Sequence, residues 1–175
     1  LAEPYLTWVW REEPPQGKPL SAYADAKPLR DMMEVMDEDD LLSFYYLSGK
    51  QSNDASAWLF NVCGTRGWKA KMGDEISTLE FSVPLLYQEQ NPLSFLRLYL
   101  DSARRLAPEQ GYAGHAFNLS VTNRDGNEPT EAFMAARMPG LDVGTAGLLA
   151  NIPEFKPTKI KTVSWLTLLD QARLD

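Results

Sequence analysis

A chain of 175 residues with a net charge of -7 and 44% hydrophobic residues is long enough to bury a core, and its lone Cys63 excludes an internal disulfide. The charge argues against a nucleic-acid partner, because neutralising phosphates takes clustered Lys and Arg and the 17 basic residues here are scattered. No run approaches the roughly 20 apolar residues of a membrane-spanning helix, so no membrane partner is expected, and the acidic surplus favours a basic protein partner.

Along the chain, the aromatic and β-branched stretch YLTWVW, Tyr5 to Trp10, predicts a strand closed by charges and the turn formers PPQGKP. In KPLRDMMEVMDEDD, Pro28 suits the first helical position, and Leu29, Met32, Met33 and Met36 recur at helical spacing, which predicts a short helix with one buried stripe. Three strand-length runs follow, Leu41 to Ser48, Ser56 to Cys63 and Ile76 to Val83, and they predict an antiparallel meander. Between the last two, GTRG reads as a hairpin turn and Trp68 as part of a charged turn. Alternation puts Trp58, Phe60 and Val62 on one face and sets Leu79, Phe81 and Val83 against Thr78, Glu80 and Ser82, so one sheet face is expected to be wet or covered late.

From Asn91, a plausible cap, Pro92 opens a helix with Leu96, Leu100, Ala103 and Leu106 along one side, ended by Pro108 and Gly111. The stretch YAGHAFNLSV alternates, with Ala113, His115, Phe117, Leu119 and Val121 on one side of a strand. A short helix capped by Thr130 is expected next, then a loop in which Gly140 and Gly144 supply unusual backbone angles. A strand over Lys159 to Val163 and a final helix capped by Ser164, docking Trp165, Leu168 and Leu169, complete the expectation. The sum is an α+β fold over residues 1–175, one domain with a mainly antiparallel sheet packed against helices.

Residues able to do chemistry are few. With one His and one Cys, no zinc spacing exists, and the run Asp37, Glu38, Asp39, Asp40 lacks the glycine and distal Glu of a calcium loop, so no metal and no cofactor are expected. His115 with Asp142 and either Ser120 or Cys63 would make a nucleophile, base and orienter, although His115 shares the alternation of Phe117 and Leu119 and reads better as a core or core-rim histidine. The four acids form the densest like-charge run and follow a helix end, where they oppose the helix dipole at a cost of a few tenths to about 1 kcal/mol each. A run unfavourable in its own surroundings suggests contact with a basic partner or a solvated helix end, and Trp68, among charges, is either an exposed aromatic contact or folded back over its own hairpin.

In its second half, a helix such as LSFLRLYLDSARRLAPEQGYAGHAFNLS, then RMPGLDV, then KTVSWLTLL, resembles a family of bacterial type VI secretion immunity proteins long catalogued as a domain of unknown function. The family usually has Asn where Ser164 stands and runs on to a glycine-containing end, so the natural chain is expected to extend beyond Asp175, and beyond Leu1 as well. The resemblance implies a non-catalytic protein that binds a cognate effector toxin and occludes its active site, in the cytoplasm with the periplasm left open. The acidic charge adds a nuclease as the toxin, and Asp37, Glu38, Asp39, Asp40 and Trp68 as the contact residues. The alternatives are a small hydrolase or transferase using His115, and an adaptor or chaperone of a secretion component.

Overall fold

The computed structural model describes residues 2–13, 18–72, 76–143 and 164–171. Five strands form one antiparallel sheet: β1 (Trp8–Arg11), β2 (Leu20–Ala22), β3 (Ser43–Leu47), β4 (Leu59–Cys63) and β5 (Thr78–Ser82), in the order β2-β1-β3-β4-β5. The meander of β3, β4 and β5 is as the alternation predicts, and β1 adds itself to the far side of β3, pairing Val9 with Tyr46 and Arg11 with Phe44. A second antiparallel pair joins β6 (Gln110–Ala113) to β7 (Leu166–Leu169). The helices are α1 (Leu29–Met33), α2 (Gly67–Met72), α3 (Leu85–Gln90), α4 (Pro92–Leu106) and α5 (Arg124–Ala135). This is an α+β fold with a mainly antiparallel sheet.

Strand register assigns the two faces. One carries the row Val9, Tyr46, Phe60, Phe81 and the row Arg11, Phe44, Val62, Leu79. Its rings interlock, with Phe44 and Tyr46 centroids 5.0 Å apart and Tyr46 and Phe60 6.1 Å apart, and Phe81 meets Phe95 of α4 edge-on at 5.8 Å. The opposite face carries Trp10, Tyr45, Asn61 and Glu80 in one row and Trp8, Leu47, Leu59 and Ser82 in the next. Of the two expectations for this face, wet or covered, it is the covered one that holds at Asn61, which is 0% exposed. Four of its polar atoms are buried without a hydrogen bond among the described residues: the indole nitrogens of Trp8 and Trp10, Asn61 Oδ1 and Thr78 Oγ1.

Several sequence expectations shift. Only Met32 of the α1 stripe is buried, because the helix stops at Met33 and leaves that side chain in solvent. Of the expected α4 stripe Leu96 and Ala103 are half-buried, whereas Leu100 and Leu106 are exposed; Phe95 meets Phe81 of the large sheet, and the Tyr99 hydroxyl reaches Gly111 of β6. Asn91 does not cap α4, as its side-chain amide donates to the Tyr87 carbonyl at 3.1 Å. Helix α5 begins six residues before Thr130, whose hydroxyl bonds back to the Gly126 carbonyl from inside the helix.

The largest correction concerns the C-terminal segment. Leu166 to Leu169 is strand β7, paired residue for residue with β6, instead of a helix capped by Ser164. The expected helix, Ser164 to Leu174, is an eleven-residue run and so marginal by itself, and in Leu166 to Leu169 the backbone groups find cross-strand partners on β6 instead. Ser164 and Thr167 close a tight turn before it, and Trp165 stacks on Phe95 at 6.1 Å. The expected strand Lys159 to Val163 and Gly144 lie outside the described residues, while Gly140 does adopt a positive φ of 90°.

Two measurements test this packing. Thr78→Val keeps the β-branched shape and removes a buried hydroxyl that has no partner, so it is expected to stabilise the fold by about 1 kcal/mol, read as a higher urea midpoint at unchanged slope. Tyr46 and Tyr99 have pKa values raised above 10.0, both chiefly by burial, with Tyr23 adding to the effect at Tyr46. Below about pH 10 both states hold the phenol proton; above it the unfolded chain releases the proton first, so stability is expected to fall as pH rises from 10. Unfolding free energies across pH 9 to 11 check the sign, and Tyr99→Phe should flatten the fall.

Candidate functional site

The acidic run and Trp68, 28 residues apart from Asp40, meet in space. The reason is the pairing of β3 with β4. Antiparallel strands place the start of β3 beside the end of β4, Ser43 opposite Cys63, so the turn that enters β3 lies against the segment that leaves β4. That segment is not the expected hairpin turn. It crosses from Gly64, whose N–H donates to the Leu42 carbonyl at 2.7 Å, into helix α2.

The turn and the helix are built against each other. Gly67 N–H donates to the Glu38 carbonyl at 2.6 Å, and the Trp68 N–H donates to Asp39 Oδ1 at 3.1 Å. A side chain at Gly67 would bring its Cβ within 3.0 Å of the Glu38 carbonyl oxygen and 3.2 Å of Asp39 Oδ1, so only glycine fits without displacement. One turn further on, Lys71 Nζ meets Glu38 Oε1 at 2.9 Å, and the Lys71 pKa is raised, first by that hydrogen bond and then by the Glu38 charge. The pair is solvent-exposed, so it fixes geometry more than it adds stability. Arg66 forms an ion pair with Glu13, which ties the helix start to the end of β1.

The remaining acids shape the turn itself. Asp40 Oδ2 accepts the Asp37 N–H at 2.9 Å, and Asp37 Oδ1 accepts the Asp39 N–H at 3.3 Å. The dipole argument therefore changes sign. In sequence the acids trail α1, but in space they sit at the N-terminus of α2, where negative charge is favourable. All four acidic residues are exposed, as is Trp68, whose ring centroid lies 5.4 Å from Lys69 Nζ. Among the described residues no group of three or more His, Cys, Asp or Glu is arranged to hold a metal ion. Sequence reasoning missed α2, although Trp-Lys-Ala-Lys-Met between two glycines carries good helix formers bounded by breakers.

The other candidates separate. His115 is exposed on the surface, not at the core as its alternation suggested, because the strand ends at Ala113 and the alternation lapses. Its carbonyl accepts the Asp142 N–H at 2.7 Å, next to a parallel bridge between Ala116 and Asp142, so this pair is drawn together through backbone. Ser120 is a brace: its hydroxyl donates to the Asn53 carbonyl at 2.8 Å and accepts the Asn123 N–H at 3.1 Å, tying the start of α5 to the β3–β4 connection. Cys63 lies half-buried on the polar sheet face beside Thr78.

Asp39 carries the load at the patch. Asp39→Ala leaves the Trp68 N–H uncapped and is expected to cost about 1 kcal/mol of stability, whereas Asp39→Asn keeps an acceptor and costs only part of that. Chemical denaturation of the two variants measures the difference.

No helix among the described residues is long and apolar enough to cross a membrane. The TsiV family model, described as type VI immunity for VRR-NUC, matches residues 1–175. A solved structure of the Pseudomonas aeruginosa T6SS protein PA0821 is similar at 73% identity with a TM-score of 0.95, the likeness covering 99% of this chain and 48% of that one. The chain thus spans about half the length of that solved chain. Among curated proteins no match is found. A family match over every residue, together with a near-superimposable fold at high identity, places this chain in the TsiV family of type VI immunity proteins.

Proposed function

We propose that the chain is a stoichiometric inhibitor of a VRR-NUC nuclease effector, without catalysis of its own, and that it meets the effector through Asp37, Glu38, Asp39, Asp40 and Trp68. The observation that carries the reading is the joining of the acidic turn to α2, which sets four exposed acidic residues and the exposed Trp68 on adjoining segments. A nuclease must bind phosphate, and a phosphate-binding surface is basic. A net charge of -7 supplies long-range attraction to such a surface, and the carboxylates supply local complementarity. Covering that surface excludes nucleic acid by occupancy, so no chemistry is asked of the immunity protein. This use also suits the surroundings of Ser120, whose hydroxyl is engaged at both ends in structural bonds. Since the effector's substrate is nucleic acid, we place the encounter in the cytoplasm.

Titrating the purified protein into the VRR-NUC effector is expected to abolish DNA cleavage at one equivalent, with a 1:1 complex on sizing. The double variant Asp37→Asn, Asp40→Asn, which keeps an acceptor for each turn bond, should protect cells from the effector less well while remaining folded, and His115→Ala should protect as the parent does. Normal cleavage in the presence of excess protein would overturn the reading. So would a recovered complex that left cleavage intact, since that is the behaviour of an adaptor.

A further inference from the structure

Helix α2 places its two large apolar side chains, Trp68 and Met72, four residues apart and so on one face. That face is uncovered, with Trp68 44% and Met72 64% exposed. The segment leading from α1 into the acidic turn exposes two more, Met33 at 52% and Val35 at 70%. Gly67 and Lys71 both bond to Glu38, so α2 is held to the turn that follows Met33 and Val35 in the chain, and the four exposed apolar side chains belong to the two segments that this turn joins. A helix face that served only solvent would carry polar residues at positions 68 and 72, as the same helix does at Lys69 and Lys71.

We infer that the Trp68 and Met72 face of α2, extended by Met33 and Val35, is the apolar anchor of the complex, and that its occupant is a socket on the effector with an apolar floor and a basic rim. The inference rests on the proposed inhibition of a nuclease and adds how the complex is held. Charge complementarity selects the occupant: Asp37, Glu38, Asp39 and Asp40 adjoin the apolar residues, so any partner fitting the latter must meet the former with cations. Tryptophan buries the most area with few rotatable bonds, which makes it the commonest residue to dominate an interface. Here its backbone N–H is already held by Asp39, so the main chain of the anchor is ordered before binding. The two halves of the patch then act on different rates. The carboxylates steer the encounter and govern association and its salt dependence; the apolar residues govern dissociation.

The test is surface plasmon resonance with the intact VRR-NUC effector immobilised. Trp68→Ala and Met72→Ala are expected to raise the dissociation rate at least tenfold while association changes less than threefold. Val35→Ser, which lies outside α2, should also speed dissociation, and this separates a lost contact from a melted helix. Asp37→Asn with Asp40→Asn should slow association several-fold and flatten its salt dependence, leaving dissociation nearly unchanged. Leu106→Ala, an exposed apolar site on α4, should alter neither rate. If the Trp68, Met72 and Val35 variants, folded by circular dichroism, dissociate as the parent does, the anchor is overturned while the inhibitor role stands. If the parent itself does not bind, the inhibitor role fails and the anchor falls with it.

Discussion

Strand β3 is the constraint on which the rest of the molecule depends. It is paired on both edges, to β1 and to β4, and four of its five residues are buried, with Phe44 at 1% and Leu47 at 2% exposure. A strand with both faces and both edges occupied admits no slip in register, because a shift of one residue would exchange Phe44 and Tyr46 for Tyr45 and Leu47 across the sheet. Everything that enters or leaves β3 is therefore fixed in place by it. The acidic turn arrives at its first residue and cannot move away from the end of β4; the β3–β4 connection leaves at its other end and is held by Ser120 and Thr122.

This explains why a surface patch made of two sequence segments is rigid enough to act as one. Asp39 and Glu38 bond to α2 only because the sheet has already brought the segments together, and those bonds then fix the backbone of Trp68 beside the acidic turn. Gly67 lets the helix backbone approach within hydrogen-bonding distance of the turn, where a Cβ would stand 3.0 Å from a carbonyl oxygen. Fold and surface are thus coupled in one direction: the core sets the register, the register sets the juxtaposition, and the juxtaposition orders the side chains a partner would meet.

Much of the fold was legible because strand alternation is a local signal that tertiary structure reinforces. Leu79 and Phe81 opposing Thr78, Glu80 and Ser82 is read directly from spacing and recurs in the register. The start of α4 was equally legible, since Pro92 both permits a first turn and forbids an earlier one. What failed were features decided by remote partners. Leu166 to Leu169 has the same composition as a helix fragment, and only β6 makes it a strand. His115 lies on the apolar side of a strand in sequence, but the strand ends two residues before it. The acids were legible as a cluster and Trp68 as exposed; their contact was not, because it depends on β3 meeting β4 in antiparallel register.

The internal bonds of the acidic turn bear on how such a surface can vary. Asp37, Glu38, Asp39 and Asp40 each have one structural duty, and a carboxylate that accepts one N–H retains capacity for a cation on its other oxygen. The duty and the contact make different demands. Capping Trp68 and closing the turn require an acceptor, which Asn supplies, whereas attraction to a basic partner requires the charge itself. Neutral Asn or Ser at these positions would preserve the turn while changing whom it attracts, and Trp68 or Met72 could be exchanged without touching the sheet at all. Recognition is thereby carried by side chains that the core positions but does not pack, so the partner preference of such a surface can drift while Phe44, Leu47 and Asn61 hold the fold unchanged.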